Sequence, residues 1–416
     1  MLRLAAEDFD VLVVGGGVTG CGVALDAATR GLRTALVEAD DFASGTSSKS
    51  SKLIHGGLRY LQQHEYRLVY EALHERHRLL ANAPHLVHPL PFVIPLFGQG
   101  GVAIKGVAKA YSLALWLYDV TGGIRIGNRH RRIDAAEALA HFPLLRTDRL
   151  AAAFVYWDAQ ADDARLTLAL ARTAAAHGAV LANHAPVEQL LDDGHQLTGA
   201  RLADGTEIRA EVIVNAGGVW SEQIAHLTAT PTPSPVALRP AKGVHVVVPA
   251  DRLPCDFAAT LSVPGDQRAV FVVPWAAQES PGICRGLGQF TYIGTTDTDY
   301  EGPLDAPRCT PEDVEYLLRA VNAWTTAGLT PADVTAAWAG LRPLISDARS
   351  ARTADLSRRH AVLVSANGLV TVTGGKLTTY RRMAADAVDV VAGRFPERKL
   401  SSSRTRRLRL VGARPE

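Results

Sequence analysis

From Phe9 to Val14 the chain is a short apolar run rich in β-formers, broken only by Asp10. Gly15-Gly16-Gly17 follows, then Val18 to Arg30 with helical character, Gly31 as a stop signal and a second apolar run, "TALVE", ending at Glu38. Apolar runs closed by glycines and followed by helix-period segments predict strand, tight turn, helix, strand. The same order recurs twice. A β-run in Gly205 to Ala225 leads into Asn215-Ala216-Gly217-Gly218 and a helix opened near Trp220 and Ser221; Val370 to Thr373 leads into Gly374-Gly375 and a long amphipathic helix. Between them, Val236 to about Val273 alternates in short valine- and proline-rich runs, which predicts an antiparallel sheet entered through the Pro-rich crossover Thr228 to Pro240. Pro311 to Thr325 reads as a helix with Thr310 as its N-cap. Two apolar runs, Pro91 to Phe97 and Ala110 to Val120, are too short to span a bilayer and are separated by Lys105 and Lys109. They read as a surface-lying amphipathic patch, with a buried core helix as the alternative.

Together these elements predict an α/β fold: a discontinuous Rossmann-like domain over 8–90, 150–235 and 350–396, an antiparallel-sheet substrate or cap domain over 91–149 and 236–349, and a basic tail over 397–416. Gly15, Gly17 and Gly20 have GxGxxG spacing. The first permits the turn, the second lets a pyrophosphate approach the backbone, and the third lets helix and strand pack closely. The diphosphate then rests on the helix N-terminus, where free amides and the helix dipole favour an anion. Glu38, 18 residues past Gly20, is placed to accept both ribose hydroxyls of an adenosine. The motif alone does not choose between FAD and NAD.

Composition narrows the field. The 416 residues are 47% hydrophobic and 21% charged, ordinary for a globular protein, and the net charge of +2 comes from dispersed basic residues that offer no nucleic-acid groove. Cys21, Cys255, Cys284 and Cys309 show neither a CxxC pair nor metal-ligand spacing, which suits a reducing cytoplasm and predicts no metal. The N-terminus runs almost directly into the first strand, so no secretory signal peptide is expected.

A simple NAD dehydrogenase would continue at once into further βαβ units. Here a long polar loop intervenes, containing "SSKSSKLIHGGLRYL" at Ser47 to Leu61. Its hydroxyls and amides suit an extended cofactor, and a flavin is the natural choice. A helix N-terminus after Gly374-Gly375 would stabilise the negative charge of a reduced flavin.

On this loop together with "EALHERHRLLANAPHLVHPLPFVIP", "LYDVTGG", "NAGGVWS", "RPAKGVHVVVP", "FVVPW", "IGTTDTDY", "GLRPL" and "GGKLTTYR", the chain resembles the FAD-dependent glycerol-3-phosphate dehydrogenases, a branch of the D-amino-acid-oxidase-like flavoproteins. The likeness runs from about residue 8 to residue 412. It implies FAD contacts from Gly15, Gly17, Gly20, Glu38, Thr46, Ser47, Ser48, Lys52, His55, Gly57, Val187, Ala216, Gly217, Trp220, Gly375, Lys376, Leu377 and Thr378. It implies substrate contacts from Arg59, Tyr60, Arg358 and Trp275, the last as a lid, and a catalytic group of His245 as base with Arg342 and Lys376 stabilising charge. Arg359 and Val244 stand where the family has an acidic residue and a serine.

The reaction so implied is hydride transfer from C2 of sn-glycerol 3-phosphate to FAD, giving dihydroxyacetone phosphate, with electrons passed to a membrane quinone. A peripheral position on the inner face of the cytoplasmic membrane goes with it, and a homodimer stays open. The alternatives are an oxidase that reduces oxygen, a non-catalytic flavin-binding remnant, and a hydroxy-acid or amino-acid oxidase that holds a carboxylate with one arginine. Family members continue past the basic segment into a helical C-terminal domain, so a catalytic unit without it, or a truncated product, is expected.

Overall fold

The structure, a computed structural model, describes residues 1–62, 65–98, 105–228, 237–266, 268–275, 289–346 and 359–413, with the backbone alone at 59, 62, 105 and 107. Two sheets organise them. The first has the strand order His360–Val364, Val370–Gly374, Glu207–Asn215, Asp8–Val14, Thr34–Val37, Val180–Ala182. From Val370–Gly374 onward all neighbours are parallel; His360–Val364 joins antiparallel. Parallel strands expose no polar face and need cover on both sides. The helix Val18–Thr29, wedged between the helices Asp163–Ala176 and Tyr380–Ala392, covers one side and buries Val23, Leu25, Leu170 and Val388. A hairpin, Val187–Asp192 with Leu197–Leu202, joins the sheet antiparallel at Glu207–Arg209 and packs Leu190, Leu197 and Leu202 on the other.

Register decides where chemistry occurs. Val14 pairs with Asn215 and Asn215 with Thr371, so the first two parallel strands end level and the third runs on to Gly374 in the same direction. The glycine turns after them, at Gly15, Ala216-Gly217 and Gly374-Gly375, therefore meet along one edge, the carboxyl end where open α/β sheets bind ligands.

The second sheet runs Thr298–Asp299, Leu238–Pro249, Phe290–Gly294, Ala269–Trp275, Ala258–Ser262, Val87–Phe97, Leu150–Ala161, Leu53–Ile54, with Ala336–Ile345 also paired to Leu238–Pro249. It is antiparallel except where Ala258-Ala259 lies beside Phe92-Val93. The helix Pro311–Asn322 buries Leu317 and Val321 beneath it and opens with a reciprocal Thr310–Asp313 capping box.

Two sequence expectations change. Pro91 to Phe97 is no surface patch: it lies within an interior strand, with Phe92 and Val93 fully buried, because Leu150–Ala161 and Ala258–Ser262 pair to its two sides. The strands Leu53–Ile54 and Leu150–Ala161, from stretches assigned by sequence to the first domain, pair in the second sheet. Ala110 to Val120 falls in the helix Lys105–Val120, which buries Leu115 and Tyr118 yet leaves Leu113, Trp116 and Val120 67%, 55% and 62% exposed. No helix among the described residues is long and apolar enough to cross a membrane.

Candidate functional site

A cavity of about 680 Å³ opens at the glycine edge of the first sheet and reaches the second sheet. At its near end Gly15 has φ +112°, and a Cβ there would lie 2.7 Å from the Ala216 carbonyl oxygen. A Cβ on Gly20 would lie 1.9 Å from the Gly15 carbonyl oxygen, so the helix Val18–Thr29 sits as close as its backbone allows. Gly17 faces only the Ser47 hydroxyl, 3.2 Å from where its Cβ would stand. The first helical amide, Val18 N–H, donates to Ser47 Oγ at 2.9 Å. Glu38 accepts from the Gly16 and Asp40 amides at 2.5 and 2.9 Å. Backbone amides, a helix start and a carboxylate 22 residues from Gly16 thus line one end of a long cleft. That donor set, and the close backbone approach that only glycine permits, fit a dinucleotide.

The polar loop crosses from this end to the other, and buried carboxylates hold it. Asp163, fully buried, accepts from Ser50 N and Oγ at 3.0 and 2.7 Å and from Lys52 Nζ at 2.6 Å. Asp158, itself paired with buried Arg76, accepts from Tyr118, and the Tyr118 hydroxyl accepts from Gly56 N–H at 2.9 Å. His55 N–H donates to Thr378 Oγ1 at 3.1 Å, tying the loop to the "GGKLTTYR" turn. Burial pushes the His55 imidazole down to about 4, with Lys376 and Arg76 adding to the shift against Asp158, so it is neutral at pH 7.

Asp163→Ala is expected to cost about 3 kcal/mol or more, because it strands a largely buried ammonium and frees two Ser50 donors. A fall in denaturation midpoint with loss of flavin would be the observation. An unchanged midpoint would mean that Lys52 finds another partner.

At the far end, Ala241 pairs with Arg342 and His245 with Trp338 in adjacent antiparallel strands. Alternation puts residues 241, 243 and 245 on one face with 338, 340 and 342. The Trp338 ring stacks on His245 at 4.7 Å and 10°, and His245 Nε2 is 2.9 Å from Ser51 Oγ. Gly243 makes room for Arg342: a Cβ there would lie 2.5 Å from Nη2. Arg342 Nη2 donates to Thr295 Oγ1 at 2.9 Å and Nη1 to Asp297 at 3.4 Å. Lys376 follows Gly374 and Gly375, φ +75° and +73°, and its ammonium lies 3.8 Å from the Tyr60 ring centroid. Burial holds the His245 pKa well below the ordinary value, with Arg342 and Lys52 adding to the effect.

His245, Arg342, Lys376 and Tyr60 all line the cavity, as do Gly15, Gly17, Glu38, Thr46, Ser47, His55, Val187, Ala216, Gly217, Trp220, Gly375, Leu377 and Thr378. Gly20, Ser48, Lys52 and Gly57 do not. Gly20 seats the helix, Ser48 turns back to the Gly45 carbonyl, Lys52 braces the loop through Asp163, and Gly57 takes φ +80° beneath the Tyr60 ring. Trp275 is not among the lining residues; it lies against Tyr292 and Lys52. The segment after it, 276–288, and Arg358 lie outside the described residues, as does the Arg59 side chain. Arg359 donates to Glu65 at 2.7 Å. Sequence reasoning passed over Trp338, Ser51 and Asp163. Trp338 was within reach, because period two carries the Arg342 face back four residues.

Residues 10–381 match the family described as FAD dependent oxidoreductase. The chain is 46% identical to "Glycerol-3-phosphate dehydrogenase 2" of Mycobacterium tuberculosis over 99% of its own length and 67% of that relative. It is 40% identical to the mitochondrial glycerol-3-phosphate dehydrogenase of Mus musculus over 98% of its length and 56% of that relative. The glycerol-3-phosphate dehydrogenase of Bacillus halodurans, solved complexed with FAD, superposes with a TM-score of 0.76 at 33% identity, covering 99% of this chain and 69% of that one. The chain thus spans about two thirds or less of the length of these relatives.

Proposed function

The chain belongs to the FAD dependent oxidoreductase family, and on that premise we propose that it oxidises the secondary alcohol of sn-glycerol 3-phosphate to dihydroxyacetone phosphate. The observation that carries the reading is that two cations, Arg342 and Lys376, line with the buried His245 one cleft whose glycine edge suits a dinucleotide. A phosphate monoester is held by such cations because guanidinium and ammonium donors meet its dianion with charge-assisted hydrogen bonds. A neutral polyol offers them only uncharged acceptors.

Gly15, Gly17, the Val18 amide, Glu38, Thr46, Ser47, Ala216, Gly217 and the Gly375 to Thr378 turn would hold FAD. When bound, FAD supplies the two-electron acceptor for the C2 hydride. The chain's own part is proton handling and orientation. His245, kept neutral by burial and by its cationic neighbours, takes the C2 hydroxyl proton; Ser51 and the stacked Trp338 fix its ring. Arg342 and Lys376 fix the phosphate and offset charge on the substrate oxygen.

Electrons then leave to a quinone at a membrane surface. The exposed Leu113, Trp116 and Val120 of the helix Lys105–Val120 support that part of the reading, since tryptophan and aliphatic side chains on one helix suit a bilayer interface.

Anaerobic stopped-flow reduction of the flavin-loaded protein tests the substrate. Rapid bleaching by sn-glycerol 3-phosphate, with glycerol far slower and L-lactate inert, is expected; bleaching by L-lactate alone, or by nothing, would sink the assignment. Peroxide formed at the rate of substrate oxidation under air would replace the quinone by oxygen.

The pH profile of flavin reduction follows from His245. Its folded pKa lies below the ordinary 6.5, so the base form persists as pH falls through that value. The rate is expected to stay flat from pH 8 to below about 6.5. An inflection at or above the ordinary value would remove His245 as the base. The same shift means that the unfolded chain binds the extra proton first, so native stability falls as pH drops through the unfolded pKa.

A further inference from the structure

A second concavity, about 550 Å³, shares no residue with the first. Its wall carries five arginines, Arg78, Arg125, Arg406, Arg407 and Arg409, with His74 and His77, and no carboxylate among the described residues lines it. We propose that this cleft is an anion site for a phosphorylated ligand bearing more than one charge, separate from the redox cavity.

Three stretches of chain build it. His74, His77, Arg78 and Ala81 recur at three- and four-residue spacing on the helix Tyr66–Asn82, which places them on one face. Arg125 comes from the 3-10 turn Gly123–Ile126, entered through Gly122 at φ +143°, where a Cβ would lie 3.7 Å from the His74 ring. The remaining arginines sit in and just after the 3-10 turn Thr405–Arg407. That last segment is anchored. Asn82 Nδ2 donates to the Thr405 carbonyl at 3.1 Å and the Leu410 amide to the Asn82 carbonyl at 2.8 Å. Thr405 Oγ1 donates to buried Asp26 at 2.9 Å.

The nearest counter-charge is already divided. Arg78 pairs with Glu75, which also takes Arg381 through both its oxygens, at 2.6 and 2.7 Å. One buried carboxylate therefore serves two guanidiniums. Bringing Arg125, Arg406 and Arg407 to the same concavity concentrates positive charge there, and cationic clefts with low-dielectric walls focus their field on an anion. Guanidinium forks match phosphate oxygens in pairs. The volume is that of a small-molecule cleft, larger than one phosphate needs. The ligand's phosphates come either from a soluble polyphosphorylated compound or from a phospholipid headgroup.

The test uses flavin-loaded protein and the double variant Arg406→Ser/Arg407→Ser, whose two exposed side chains leave the Thr405 anchor in place. The double variant Arg132→Ser/Arg172→Ser, also exposed and equal in charge change, is the control. Tripolyphosphate and inorganic phosphate are titrated calorimetrically; sedimentation is measured with phosphatidylglycerol–phosphatidylcholine vesicles and with phosphatidylcholine alone. The cleft variant is expected to lose about tenfold or more in affinity for tripolyphosphate or for the anionic vesicles. The control keeps its affinity, and flavin reduction by sn-glycerol 3-phosphate is unchanged in both. Loss confined to tripolyphosphate identifies a soluble ligand; loss confined to anionic vesicles identifies a headgroup. Equal loss in cleft variant and control, or no binding of either probe by the unaltered protein, overturns the proposal.

Discussion

Arg342→Met is expected to lower kcat/KM for sn-glycerol 3-phosphate by about a thousandfold, with most of the loss in the flavin-reduction step. The guanidinium is held by Thr295 and Asp297 from one side and has Gly243 beneath it, so its position is set before any substrate arrives. Removing it takes away charge-assisted bonds of about 1.5–3 kcal/mol each. Arg342→Lys should recover only part, because a point charge on a flexible stem cannot satisfy Thr295 and a phosphate oxygen with one fork. The decisive control is glycerol, which lacks the phosphate: its slow oxidation, which keeps only the contact to the substrate oxygen, should fall far less than that of the phosphate ester. If Arg342→Met instead slows both substrates by one factor, the arginine acts on the reacting carbon or on flavin, and phosphate recognition lies elsewhere.

How such a site could be read from sequence depends on the range of the interaction. The three strand-glycine-helix units were visible because each is local: an apolar run, a turn that needs positive φ or a close approach, and a helix start. Their convergence was not visible in any one of them. It comes from register, Val14 beside Asn215 and Asn215 beside Thr371, and register between segments so far apart in the chain leaves no local trace. Lys52 shows the limit more sharply. Its place in the loop suggested a cofactor contact, but its ammonium pairs with Asp163, 111 residues on, and ion pairs at that distance have no periodicity to betray them. The Pro91 to Phe97 run misled for a related reason. A short apolar stretch looks the same on a surface as in a sheet interior, and only the strands pairing to its two sides decide. The basic cleft likewise draws on residues 74 to 82, 125 and 406 to 409, so dispersed arginines that looked like solvated charges become a cluster only after folding.

Gly17→Ala and Gly20→Ala should separate packing from cofactor binding at the same turn. At Gly20 the new methyl would stand 1.9 Å from the Gly15 carbonyl oxygen and 3.3 Å from Ala216 Cβ. Backbone cannot yield as a side chain does, so the helix must move off the strand, and the expected result is unstable protein without flavin. Gly17 is different. Its φ of −72° suits any L-residue, and the methyl meets only the Ser47 hydroxyl, at 3.2 Å. That variant should fold with a melting temperature, measured without flavin, close to that of wild type, because only the Ser47 hydroxyl, at the end of a short side chain, has to give way. Yet the methyl stands at the helix start, where a pyrophosphate must come against the backbone. Affinity for FAD should fall about a hundredfold, from lost close approach to the amides. Titrating apoprotein with FAD while following flavin fluorescence measures this directly. Full affinity in Gly17→Ala would mean that the diphosphate does not rest on the Val18 amide, and the cofactor would have to be bound mainly through the 44–51 loop and the Gly375 turn.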